Sequence, residues 1–289
     1  MNARPLVIAA LLLGCSNGRE AVGREAAARA TAHAREGIEA VGRLQGGLQT
    51  VLAGAAATVA AAIATPIDVA RVRNRLRDLH DDRSATGRQL SLYPTWFVAA
   101  VGADGHAIAG DLEPARDYLP GKDLRTAFPC LVTALSGTAG SCSGDFVTTE
   151  GAAPRGYMVT AVPLRAAADG PVVGALVGAM TYGRVAKAIR EALNVSTLRD
   201  RVQLAVGFGH HGRIVPSGMD NDVPAALLVP DALLPRVPAY IGERLAAGTP
   251  FTFTFAENQG ALQWGAAVAP VPALGPGEGI LVFRAPLRQ

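Results

Sequence analysis

From Arg19 to about Ile63 the chain is rich in alanine and nearly free of proline. Val22, Ala26, Ala30, His33, Ile38, Val41, Leu44, Leu48, Leu52, Ala55, Val59 and Ile63 recur at steps of three to five residues. That period predicts a long amphipathic helix with one apolar face. Some 45 residues at about 1.5 Å each would reach about 65 Å. Gly46, Gly47 and Gly54 are expected to weaken, bend or divide it. The run LAGAAATVAAAIA is too short for an ordinary membrane span and reads as a buried helix end. Thr65-Pro66-Ile67-Asp68 predicts a second helix, from Pro66 to about Asp82, with threonine as cap and proline in the first turn. ATGRQ then reads as a surface connection.

From Ser91 the period changes. Trp96 to Val101 is an apolar run that enters a turn at Ala103-Asp104-Gly105, and a shorter apolar run leaves it, which predicts a β-hairpin. GYMVTAVPLR and GPVVGALVGAMTYG predict a second strand pair around Ala168-Asp169-Gly170. Between the pairs, GKDLRTAFPCLVTALSG reads as a helical crossover. Val185, Ile189 and Leu193 then predict a helix that closes the region. The layout recurs: Asp104-Gly105 lies 58 residues before Pro163, and His211-Gly212 lies 58 before Pro270. The alignment places Val101-Gly102 on Phe208-Gly209, Tyr157 on Trp264 and Val159 on Ala266, and suggests an internal repeat. In the second copy VQLAVGF, FTFTF, LQWGAAVAPVP and GILVFRAPL predict strands. Helical spacing is convincing only from Pro238 to Ala247, after a proline-rich stretch.

Composition excludes more than it selects. With 49% hydrophobic and 18% charged residues the chain can build real cores. A formal charge of +3 without a basic patch gives no reason to expect a nucleic-acid partner. No serine sits in a nucleophile-elbow context and no glycine-rich phosphate loop occurs, so no catalytic activity and no cofactor are expected. His210 and His211 are adjacent on a strand, where neighbouring side chains point to opposite faces, and no metal site is expected. The start, MNARPLVIAALLLGC, has a basic n-region, a short apolar run and Leu-Leu-Gly-Cys. It resembles the bacterial lipoprotein signal. The resemblance implies removal of residues 1–14, lipidation of Cys15, and a lipid anchor on the periplasmic or extracellular side, at the outer membrane given Ser16. An uncleaved signal or a buried cysteine is the alternative. Export permits a Cys130–Cys142 disulfide, with free buried thiols as the other option.

A tether, a long helix, a short helix and a sheet carrying Asp104-Gly105, Gly121-Lys122-Asp123-Leu124, Tyr157 to Pro163 and Val173-Gly174-Ala175-Leu176 resemble the Cache family of extracytoplasmic sensor domains. A second, smaller module after the first resembles the double-Cache arrangement. The resemblance implies an α+β fold: a long N-terminal helix followed by two PAS-like modules, each an antiparallel sheet flanked by helices. The expected divisions are a signal peptide at 1–14, the long and short helices at 15–90, a first module at 91–193 and a second at 194–289. It also implies a pocket for a small metabolite such as an amino acid, carboxylate or amine. Tyr93, Trp96, Asp111, Tyr118, Lys122, Asp123, Arg125 and Tyr157 are the candidates to line or rim it, with Arg125 or Lys122 holding a carboxylate. The family's full Tyr/Arg/Trp/Tyr/Asp pattern is absent, and no second membrane segment or output domain is seen. Two functions are therefore expected: a ligand-binding, sensor-like lipoprotein, or a structural lipoprotein that meets a protein partner along its N-terminal helix.

Overall fold

The computed structural model describes residues 5–63, 67–80, 85–93, 95–112, 117–147, 154–197, 202–217, 240–257 and 262–286. The apolar period becomes one continuous helix, α1 (Pro5–Ala62). Its glycines do not break it. Gly46 and Gly54 face open space, whereas Gly47 is where the Tyr93 ring packs, since a Cβ there would overlap the Tyr93 hydroxyl. The second helix, α2 (Val69–Asp78), starts later than the sequence suggests. Its N-cap is Asp68, whose carboxylate accepts from the Arg71 amide at 3.1 Å. A carboxylate at the cap satisfies an orphan helical N–H; Thr65 and Pro66 lie outside the described residues. The stretch read as a surface connection is a short helix, α3 (Ala85–Leu90), anchored by buried Leu90.

The chain divides into two compact units. The first described here holds Val41–Val185 with Ala273–Gly275. Its elements are β1 (Phe97–Gly102), β2 (Ala107–Gly110), α4 (Pro129–Leu135), β3 (Gly140–Phe146), β4 (Arg155–Arg165) and β5 (Val172–Thr181). They form an antiparallel sheet in the order β2-β1-β5-β4-β3. One face buries Phe97, Ala99, Val101, Tyr157, Val159, Ala161, Ala175 and Val177 against Leu119, Leu124, Phe128 and Leu131 from the crossover. On the other face, Leu48 and Leu52 of α1 approach β5 at Gly178.

Strand β3 was not legible as a strand. GSCSGDF has neither β-branched residues nor alternation, and it becomes an edge strand only by pairing with β4, Gly140 opposite Ala161 through Phe146 opposite Arg155. Gly144 lets it lie against the crossover, since a Cβ there would overlap the Ala127 carbonyl. The Cys130–Cys142 disulfide ties α4 to this edge, with Cα atoms 5.4 Å apart. The expected crossover helix contracts to the seven residues of α4.

The other unit holds α1 up to Ala40, residues 186–272 and residues 276–289. The helix α5 (Tyr182–Thr197) leads into β6 (Val202–His210), β7 (Arg213–Pro216), α6 (Ile241–Ala246), β8 (Phe251–Glu257), β9 (Leu262–Pro270) and β10 (Gly279–Pro286). The sheet order is β7-β6-β10-β9-β8, the first unit's order with every strand renumbered. Its core is Ala205, Trp264, Ala266, Val268, Leu281 and Phe283, closed by Ile241 and Leu245 of α6. Tyr157 and Trp264 do occupy the same core face of equivalent strands. The aligned Val101 and Phe208 do not: Val101 belongs to the core face of β1, whereas on β6 that face is carried by Ala205, an odd number of residues from Phe208. The turns explain the slip. His211-Gly212 is a two-residue connection with positive φ at both positions, 45° and 77°, while the first hairpin spends three residues between Gly102 and His106. The proline-rich segment 218–239 lies outside the described residues. No described helix is long and apolar enough to cross a membrane.

Candidate ligand-binding site

The eight candidate residues of the first sheet fall at two ends of one hairpin. At its turn, Gly105 takes φ 84° and the stem of Arg125 lies over it, where any Cβ would overlap the side chain. The Arg125 guanidinium donates to both oxygens of Asp123, at 3.0 Å to Oδ1 and 2.7 Å to Oδ2. The Arg125 amide also donates to Oδ1 at 3.0 Å. These bonds hold the Asp123 carboxyl well below the usual carboxylate range and raise Arg125, by the hydrogen bond first and the charge attraction second. Asp123 is joined to His106 by a β-bridge, and Lys122 lies 5.5 Å from the Tyr118 ring. The carboxylate partner that the sequence assigned to Arg125 is thus already supplied by Asp123, two residues away. This end is a surface network built on the Arg125–Asp123 pair.

The other end holds Trp96, Asp111, Tyr157 and Tyr93. Six residues of extended chain separate Trp96 from Gly102, roughly 20 Å at strand rise, so one small pocket cannot be lined by both ends. Tyr157 is fully buried, edge-on to Phe97 at 5.7 Å and to Phe128 at 6.4 Å. It forms a wall of the core. Tyr93 packs on α1 at Gly47. Asp111 is engaged twice: Oδ1 accepts from the Val98 amide at 3.0 Å, and Oδ2 lies 2.6 Å from His80 Nε2.

Trp96 is the residue with chemistry to spare. Its backbone is fixed by donation to the Ala179 carbonyl at 2.6 Å, and the ring packs half-buried against the core. Two guanidiniums lie against that ring, Arg155 at 5.0 Å and Arg184 at 4.8 Å. Arg184 is held in place by donating to the Thr95 carbonyl at 2.6 Å. Arg155 is exposed and makes no ion pair among the described residues. A flat apolar wall with two cations against it, one of them held in place, suits a small anion, because a guanidinium offers a carboxylate paired donors in its own plane. Sequence reasoning missed both arginines. Arg155 was findable, since it precedes Tyr157 by two and strand alternation puts the pair on one face. Arg184 had no signal: it opens a helix, and only the packing of that helix brings it to Trp96.

On the opposite face, an open cleft of about 720 Å³ lies between Ala60, Ala61 and Ile63 of α1, the β1–β2 turn and the Pro171–Val173 stretch. Its polar groups, Asp104 and His106, face each other at 3.3 Å, and none of the eight candidates lines it. In the other unit, His210 is buried with Nδ1 2.7 Å from Glu278 Oε1, while His211 is 57% exposed. The two imidazoles are not opposed as strand alternation would have them: His211 leaves the strand into the turn at φ 45°, its ring centroid lies 4.3 Å from that of His210, and its Nε2 is 3.9 Å from the same Glu278 oxygen. The buried partner Glu278, 68 residues away, does not follow from the sequence. The Cys15 side chain lies outside the described ones, within the backbone span of α1.

No protein-family model and no curated protein matches this chain. Solved structures do. The extracellular domain of a protein assigned as the histidine kinase vpHK1S-Z8 shares 12% identity over 93% of both chains, with a TM-score of 0.50. The fold is α+β, a long N-terminal helix with two PAS- and Cache-like modules of antiparallel sheet and helix. The sensory domain of the Campylobacter jejuni chemoreceptor Tlp3, solved with isoleucine, is 9% identical over 92% of this chain and 94% of its own, at TM-score 0.48. The ligand-binding domain of the Pseudomonas aeruginosa chemoreceptor PctB, solved with L-Gln, is 14% identical over 89% of each chain, at TM-score 0.46. The first of these is described as an extracellular domain, the second as a sensory domain and the third as a ligand-binding domain. At such identities the likeness is one of fold.

Proposed function

We propose that this chain is an extracytoplasmic, non-catalytic, small-molecule-binding protein of the sensor type, tethered by a lipid on Cys15 after loss of residues 1–14. Its ligand is a metabolite bearing a carboxylate, such as an amino acid or organic acid, and the site is Trp96 with Arg155 and Arg184. The observation that carries this reading is the pair of guanidiniums at 5.0 and 4.8 Å from one half-buried indole, one of them without an ion pair among the described residues. Of the residues proposed from sequence, Trp96 stays in the site. Tyr118, Lys122, Asp123 and Arg125 form a separate network at the hairpin turn, and Tyr93, Asp111 and Tyr157 support the structure around it.

The test is a thermal-shift screen of the purified protein against amino acids, carboxylates and amines, because a ligand that binds only the folded state must raise Tm. A saturable shift with carboxylates that is lost in both Trp96→Ala and Arg155→Gln supports the reading. A shift that survives both variants removes the site, and a flat screen removes the function. A second reading has its own observation: the centre of the first sheet's core face is filled by Leu119, Leu124, Phe128 and Leu131. That filling suits a structural or protein-interaction lipoprotein, for which the flat screen is the expected result.

A further inference from the structure

The second sheet carries a cavity that the function proposed above does not use. Helix α1 lies close against this sheet at Gly265, where a Cβ would overlap the backbone of Ala26 and Ala27. About one to three turns further along the helix the surfaces part. Thr31, Ala34, Arg35 and Ile38 stand at i, i+3, i+4 and i+7 and so share one helical face. Opposite them the sheet presents Thr252, Ala267 and Ala269, side chains too short to fill the gap. The result is a hollow of about 540 Å³, within the range of about 300–1,000 Å³ common for small-ligand sites. Pro250, Pro270 and Pro272 are among its lining residues and stiffen its walls before anything binds.

Its charge is one-sided. Arg35 is the charged residue of the lining, and no acid lines the hollow. Earlier on α1, Arg24 and Arg29 pair with Glu20 and Glu25 four residues before them. The position four before Arg35 is Thr31, whose hydroxyl donates to the Ala27 carbonyl, and Arg35 makes no ion pair among the described residues.

We propose that this hollow binds a small monocarboxylate with a compact apolar tail, the tail between α1 and β9 and the carboxylate at Arg35. An apolar tail gains by leaving water for walls of alanine, valine, isoleucine and proline. The carboxylate finds a guanidinium with no competing acid in the lining. The absence of an acid in that lining sets the class: an α-amino acid would bring an ammonium group with no partner there, so a simple aliphatic or aryl acid is preferred. This site is independent of Trp96, and either proposal can fail without the other.

The test is isothermal titration calorimetry of the whole protein with hexanoate, phenylacetate and the neutral analogue hexanamide. The expected result is saturable binding of at least one acid, with hexanamide weaker by about tenfold or more, as loss of a charge-assisted hydrogen bond requires. Arg35→Gln should weaken the acid by a similar factor and leave hexanamide unchanged. Ala267→Leu, which fills the hollow, should abolish both. Because Ala267 is buried and that variant can disturb the sheet, Thr252→Leu at an exposed lining position serves as a second block. Trp96→Ala and Arg155→Gln should leave the titration as it is. The proposal is overturned if neither acid binds at millimolar concentration, if hexanamide binds as tightly as the acid, if Arg35→Gln keeps full affinity, or if Trp96→Ala removes the binding.

Discussion

Helix α1 and β9 approach closely at Gly265, and Gly265→Ala tests how much of the fold depends on it. The added methyl would overlap Ala27 N and Ala26 C and lie 2.6 Å from Ala27 Cα. Restoring ordinary carbon–carbon contact requires the helix and β9 to part by about 1 Å, and a gap of that size forfeits a quarter to a half of each dispersion well it opens. Overpacking in cores costs about 1–3 kcal/mol when side chains can shift. Here the obstacle is helix backbone, which cannot rotate away, so the expected cost is at the upper end, about 3 kcal/mol. That is a large share of the roughly 5–15 kcal/mol that holds a domain. Gly46→Ala is the matched control. It sits on the same helix with nothing within 4 Å of its would-be Cβ, and should stabilise by up to about 1 kcal/mol through helix propensity alone. Urea unfolding followed by far-ultraviolet circular dichroism measures both. Hydrogen exchange should show the lost protection in β9 and in α1 around Ala26. An unchanged urea midpoint for Gly265→Ala, or one raised as for Gly46→Ala, would refute the close helix–sheet contact.

Four further outcomes are expected. Reducing the Cys130–Cys142 bond, or replacing Cys142 by serine, should cost about 3 kcal/mol by releasing a short loop in the unfolded chain, read as a lower Tm in reductant for wild type only. Removing Glu278 as Glu278→Ala should cost about 1–3 kcal/mol, because it takes away the group 2.7 Å from Nδ1 of buried His210; the same denaturation assay checks it. Asp123 should remain ionised on acidification below about pH 4, where free carboxylates protonate. Its depressed folded-state value means that its contribution to stability is present above the unfolded pKa and is lost as pH falls through the folded one. Arg125→Gln should raise the carboxyl titration, followed by NMR, toward the ordinary range, with the backbone amide of residue 125 still holding it lower. Finally, mass spectrometry of the membrane-extracted protein should find an acylated N-terminal peptide beginning at Cys15, and Cys15→Ala should leave the protein without lipid.

Local pattern determined much of this protein. The helical period fixed α1, because a stripe of apolar side chains at that spacing can be buried only along a helix. Alternating and apolar runs bounded by turn residues fixed β1, β4, β5, β6, β8, β9 and β10, and the repeated spacing pointed to two sheets of one topology. Where identity lay in the partner rather than in the segment, the sequence was silent. GSCSGDF is a strand because β4 offers it hydrogen bonds and Cys130 holds it there. Asp68 rather than Thr65 caps α2 because its carboxylate meets the Arg71 amide. Val101 and Phe208 look equivalent along the chain, yet a one-residue difference in turn length turns them to different faces. The site shows the same division. The sequence could nominate Trp96, but residue type could not reveal that Arg125 is occupied by Asp123, nor that Arg155 and Arg184 reach the indole. Side-chain neighbours separated by tens of residues are chosen by how helices and strands pack, and only the tertiary structure decides that.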